Sequence, residues 1–106
     1  MQVIIDDALV KKLAALVKTL LKEGYFIEEE KAIEYVKALV AFVKKIPGEQ
    51  WYKTKNQRYG EWYCRYKPNR RTTWYFTFHE YNGQVFVLHA LNNHGPEYTS
   101  IIFGTK

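Results

Sequence analysis

The hydrophobic period of the chain changes once, at Pro47-Gly48, and that change limits what the fold can be. Before it, Leu9, Leu13, Leu16 and Leu20, widened by Val10, Val17 and Leu21, recur at helical spacing. Ile33, Val36, Leu39, Val40 and Val43 then repeat the pattern. After it, aromatic and β-branched residues alternate with polar ones between Gly, Asn and Pro, as strands do. A chain of 106 residues divided this way builds one α+β domain over residues 1–106, in which a helical layer covers a sheet.

Local signals set the expected boundaries. Met1 to Ile5 reads as a short strand, and Asp6 or Asp7 caps the first helix, which Gly24 ends in a left-handed conformation. The second helix begins near Glu28-Glu29-Glu30, which suit the positive end of its dipole, and closes on Lys44-Lys45. The short Gly24–Ile27 connection makes the two an antiparallel hairpin. Strands are expected near Glu61–Lys67, Thr73–Glu80 and Gln84–Leu91. A tight hairpin turn falls at Tyr81-Asn82-Gly83 and a looser turn at Pro68-Asn69-Arg70-Arg71. The tail Tyr98–Phe103 reads as a further strand in preference to a short helix. The expected sheet is therefore three- to four-stranded and mainly antiparallel.

Strict alternation assigns the faces. Trp62, Cys64 and Tyr66 point one way, and Tyr63, Arg65 and Lys67 the other; on the last strand Val85, Val87, His89 and Leu91 oppose Phe86, Leu88 and Ala90. Cys64 is the only cysteine, so no intramolecular disulfide forms, and a buried, inert thiol is expected there.

Charge separates the halves more sharply than the net +5 suggests. Residues 1–48 hold eight lysines against seven acids, nearly balanced. Within residues 50–79, Lys53, Lys55, Arg58, Arg65, Lys67, Arg70 and Arg71 face only Glu61, a stripe that attracts phosphate-bearing or acidic partners. No apolar run reaches the ~20 residues of a membrane span, and Asp6-Asp7 interrupts the N-terminal run before a signal-peptide core develops, so a cytoplasmic protein is expected. There is no Gly-rich phosphate loop and no zinc-ligand spacing, and Ser100 is the only serine; a cofactor-dependent enzyme is not indicated. Of the three histidines, His79 reads as a strand-end residue and His89 as a structural one. His94, in the loop Asn92-Asn93-His94-Gly95-Pro96-Glu97-Tyr98, can turn back over the sheet.

The order strand, helix, helix, antiparallel meander resembles the RelE/ParE superfamily of toxins from bacterial toxin–antitoxin pairs. Trp62-Tyr63-Cys64-Arg65-Tyr66-Lys67, Arg70-Arg71-Thr72-Thr73-Trp74-Tyr75-Phe76 and Gly83-Gln84-Val85-Phe86-Val87-Leu88-His89-Ala90 resemble that family's central strands. The resemblance implies a RelE-like fold and a ribosome-dependent mRNA endonuclease, cutting without metal or cofactor through a 2′,3′-cyclic phosphate. It also implies a cognate antitoxin as partner. Carried over position by position, Arg65 and Lys67 match the family's second-strand basic residues, Arg70 or Arg71 the arginine leading into the third strand, and His94 and Tyr98 its C-terminal positions. In the mechanism this implies, Arg65, Lys67 and Arg71 would stabilise the phosphorane, and His94 with Glu61 or Tyr98 would supply base and acid. Lys53, Lys55, Arg58, Tyr63 and Arg70 would hold the RNA, Tyr63 by stacking on a base. The chain departs from the family in having Asn92-Asn93-His94 where an arginine-rich segment is usual, and Arg71-Thr72-Thr73-Trp74 at the start of the third strand. The alternatives are a non-catalytic ParE-like protein that inhibits gyrase or binds only an antitoxin, and a generic RNA-binding domain.

Overall fold

The computed structural model describes residues 1–95 and 97–104. Strand β1 (Gln2–Ile5) leads into helix α1 (Asp7–Lys22), whose first turn is capped by the Asp6 carboxylate accepting the Ala8 N–H at 3.1 Å. Gly24, at φ 77°, ends it as the N–H groups of Gly24 and Tyr25 fold back onto the carbonyls of Leu21 and Leu20. Helix α2 (Glu29–Lys44) carries Glu29 and Glu30 in its first turn and Lys44 in its last, and the Ile46–Gly48 turn closes it. Neither helix is long and apolar enough to cross a membrane.

The remainder forms β2 (Tyr52–Lys53), β3 (Trp62–Tyr66), β4 (Trp74–Tyr81) and β5 (Gln84–Asn92). Among the described residues the sheet has five strands in the order β1-β5-β4-β3-β2. The pairing is antiparallel throughout except for β1, which runs parallel to β5 with Val3 opposite Val85 and Ile5 opposite Val87. The sheet is therefore wider than the three or four strands expected. The addition is β2, only two residues long, whose place is set by pairing Tyr52 with Tyr63 rather than by an alternating run of its own.

The helices cover one face. Leu9, Leu13 and Leu20 of α1 and Ala32, Val36, Leu39, Phe42 and Val43 of α2 share a core with Cys64, Trp74, Phe76, Phe78, Val85, Val87 and Ala90. Ile33 and Val40, expected at the centre of the α2 stripe, are only half-buried, and Ala32 and Phe42 lie deeper. Gly60 is fixed by close approach: at φ 143°, an added Cβ would lie 2.8 Å from the Phe78 nitrogen.

Two further findings depart from the sequence reading. The tail is a wide helical turn over Thr99–Phe103, not a strand. Adjacent Ile101 and Ile102 are 3% and 1% exposed, and a strand would have sent one of them to each side. The turn lies against the second sheet face, where the Ile101 carbonyl accepts the N–H groups of Lys55 and Asn56, both at 3.2 Å. There it builds a second core with Tyr63, Tyr75 and Leu91. The other departure is in β5. Phe78 pairs with Val87 but Thr77 pairs with His89, so Leu88 is an extra residue and the strand bulges. Strict alternation fails from that point. Ala90 joins Val85 and Val87 in the helix-side core, whereas Leu91 belongs to the opposite cluster.

Candidate nucleic-acid interface

Three asparagines organise the end of the sheet where β4 begins and β5 stops. Between β3 and β4, the Asn69 Oδ1 accepts the N–H groups of Arg71 and Thr72, both at 2.9 Å. After β5, the Asn92 Oδ1 accepts those of His94 at 2.9 Å and Gly95 at 3.2 Å. Short side-chain amides suit such turns because they replace a backbone carbonyl. Asn93 ties one turn to the other: its Oδ1 accepts the Thr73 N–H at 3.0 Å and its Nδ2 donates to the Arg71 carbonyl at 2.9 Å. The Thr72 hydroxyl and His94 Nε2 complete the link at 3.0 Å.

This polar unit places Arg70, Arg71 and His94 together on exposed turns. Neither arginine has a carboxylate partner among the described residues, so both charges are available to an anion. The Thr72 contact occupies Nε2 of His94 and leaves Nδ1 without a protein partner among the described residues.

The unit opens onto a cleft of about 500 Å³ between the sheet end and the helices. Its aromatic lining is Tyr25, Phe26, Tyr35 and Trp74; polar groups come from Asn69, Thr72, Asn92, His94 and Glu23, and from Thr19, whose hydroxyl donates to the Ala15 carbonyl at 3.3 Å. Trp74 is 4% exposed and donates its indole N–H to the Tyr35 hydroxyl at 2.9 Å. Burial pushes the Tyr35 hydroxyl above its ordinary pKa, so the phenol stays protonated with its own O–H free to donate. Phe26 stands 5.4 Å from the Tyr35 ring and fixes it from the side. Tyr25, by contrast, is 63% exposed at the rim.

Several residues expected to join this group lie elsewhere. Glu61 is at the opposite end of β3, where its N–H donates to His79 Nδ1 at 3.2 Å and its carboxylate lies 3.6 Å from the same nitrogen. His79 is five residue steps along β4 from Trp74, roughly 17 Å of strand, so Glu61 cannot act with His94. Arg65 projects from the second face, its guanidinium 4.6 Å from the Tyr52 ring centre and 2.9 Å from the Tyr52 hydroxyl. Tyr98 is on that face too, stacked on Tyr75 at 5.7 Å. Tyr63 is not an exposed stacking surface: at 7% exposure it lies under the C-terminal turn against Tyr52 and Tyr75. Burial accordingly raises the pKa of both Tyr63 and Tyr75. Lys67, just past β3, is exposed and two residues along from Arg65.

The other cations are dispersed. Lys53 sits over the Trp62 ring at 5.3 Å, the Lys55 stem runs beside Gly104, and Arg58 occupies an exposed turn over Gln57–Tyr59. Among the described residues, no three His, Cys, Asp or Glu side chains gather as a metal site. The asparagine links and the helical wall of the cleft were not anticipated from the sequence. Asn69 and Asn92-Asn93 were visible as turn residues, but Glu23, Tyr25 and Phe26 of the connection between the helices and Tyr35 of α2 come to the sheet end through packing that leaves no local mark.

No protein-family model, curated protein or solved structure matches this chain.

Proposed function

We propose that the protein is an RNA-cleaving toxin of RelE/ParE-like layout that acts on ribosome-bound mRNA in the cytoplasm and is held in check by an antitoxin. The observation that carries this reading is the pair of uncompensated guanidinium groups, Arg70 and Arg71, on the same hydrogen-bonded unit as His94. The element order strand, helix, helix, meander supports the family layout.

In the reaction, His94 Nδ1 takes the proton of a ribose 2′-OH, and that oxygen attacks the adjacent phosphorus. The 2′ O–P bond forms as the 5′ O–P bond breaks, giving a 2′,3′-cyclic phosphate; solvent at the open mouth protonates the departing 5′ oxygen. Arg70 and Arg71 stabilise the extra negative charge of the phosphorane. Lys67 and Arg65, reached around the edge of β3, bind flanking phosphates rather than the scissile one.

A second reading is favoured by the isolation of His94 from Glu61, whose carboxylate is held at His79. Without that carboxylate, the same surface serves a non-cleaving protein: a gyrase inhibitor, a protein that binds only its antitoxin, or a generic RNA-binding domain. Induced expression with mapping of mRNA 5′ ends, beside an assay for DNA breaks, decides between them. Translation-dependent cleavage lost in Arg71→Ala and in His94→Gln supports the nuclease. Growth arrest with intact mRNA, or cleavage unchanged in both variants, refutes it.

A further inference from the structure

We infer that the helix-side cleft is a base-recognition pocket for a guanine nucleotide of the RNA chain, with Glu23 reading the base and Tyr25 closing over it. The inference rests on the RNA-directed reading above and assigns to the cleft a task separate from bond cleavage.

Three observations carry it. The cleft, at about 500 Å³, admits a single nucleotide, and its floor is the rigid Trp74–Tyr35 pair, locked by a hydrogen bond of 2.9 Å. An aromatic floor with the exposed Tyr25 at the rim sandwiches a planar base. The polar groups are unequal in kind. The side-chain oxygens of Asn69 and Asn92 are each already engaged by two backbone N–H groups, so these residues offer a ligand only their NH2 donors. Glu23 is the one carboxylate lining the cleft among the described residues, and it offers only acceptors. A base that suits this division presents adjacent N–H donors on one edge and acceptors on the other. Guanine does so, with N1–H and N2–H for a bidentate carboxylate and O6 and N7 for amide donors. Adenine and the pyrimidines lack the paired donors. Arg70 and Arg71, exposed on the turn between the lining residues Asn69 and Thr72, match the phosphate that accompanies the base.

The test is a titration of the full chain with GMP, AMP, CMP and UMP, followed by NMR at the Trp74 indole N–H. GMP is expected to shift that signal saturably and to bind about tenfold tighter than AMP, the discrimination of one bidentate contact. Glu23→Gln is expected to remove the preference for GMP, and Tyr25→Ala to weaken all four nucleotides by about tenfold through lost stacking. Tyr81→Ala, an equally exposed aromatic on the far hairpin, is expected to change nothing. A Trp74 signal that does not respond, or a Glu23→Gln protein that still prefers GMP, overturns the assignment. GMP binding in a protein that cuts no RNA supports the pocket while refuting the nuclease reading; cleavage without nucleotide binding at the cleft does the reverse.

Discussion

Asn93→Ala tests whether the two turns act as one unit. The substitution deletes the acceptor of the Thr73 N–H at 3.0 Å and the donor to the Arg71 carbonyl at 2.9 Å, and it leaves the backbone bond from the Asn93 N–H to the Thr73 carbonyl at 3.2 Å. Each lost bond costs about 0.5–1.5 kcal/mol, and the Thr73 N–H is half-buried, so the expected loss is roughly 1–3 kcal/mol. In a domain of this size that lowers Tm by about 5–15 °C. Asn56→Ala is the matched control, because it removes a single exposed amide contact to the Arg58 N–H at 3.3 Å, and it should change stability by no more than about 0.5 kcal/mol. Urea unfolding measures both. RNA binding and cleavage, measured below the lowered midpoint, should also fall, although no charged or titrating group has been removed. The reasoning fails if Asn93→Ala is as mild as Asn56→Ala. It fails differently if stability drops but RNA activity does not, which would make Asn93 structural without a positioning role.

Two further consequences concern titratable side chains of the sheet. Cys64 is 0% exposed, and its thiol is pushed up to about 12 by desolvation first and by Glu49 second; at about pH 8 a disulfide reagent should modify it only as fast as the protein unfolds, and rapid labelling of the native protein would contradict this. His89 has its pKa lowered from 6.5, by desolvation first, then by the Lys12 cation, with Asp6 opposing. The unfolded chain therefore binds more protons than the folded one between the depressed value and 6.5, so stability should rise with pH across that window. His89→Gln should flatten that dependence in denaturant titrations, and an unchanged slope would refute the assignment.

The helices were legible because their ends are chemical. Asp6 and Gly24 carry local signals that depend on nothing distant, and both sit where those signals place them. The three long strands were legible from alternation, and so was the burial of Cys64. β2 was not, since two residues show no period. The tail was misread because Ile101-Ile102 has strand propensity, and tertiary burial of both side chains outweighs it. That error also hid Tyr63, whose exposure depended on the second face being open.

The bulge at Leu88 had the largest effect on the site, and nothing in the run Val85–Leu91 marks it. Unbroken alternation from Val87 would turn Asn92 toward the second face, beside Tyr98 and Arg65. The extra residue reverses the parity, so Ala90 and Asn92 face the helices, with Asn92 opposite Trp74. Lys12 of α1 steadies this arrangement by donating to the Ala90 carbonyl at 2.7 Å. Asn92 in turn holds the His94 and Gly95 N–H groups, so the bulge decides which side of the sheet the loop serves. His94 consequently lines the aromatic cleft while Arg65 stays on the other face, and a charge cluster that reads as continuous along the sequence becomes two surfaces. The chemistry proposed for this protein depends on the one that holds Arg70, Arg71 and His94.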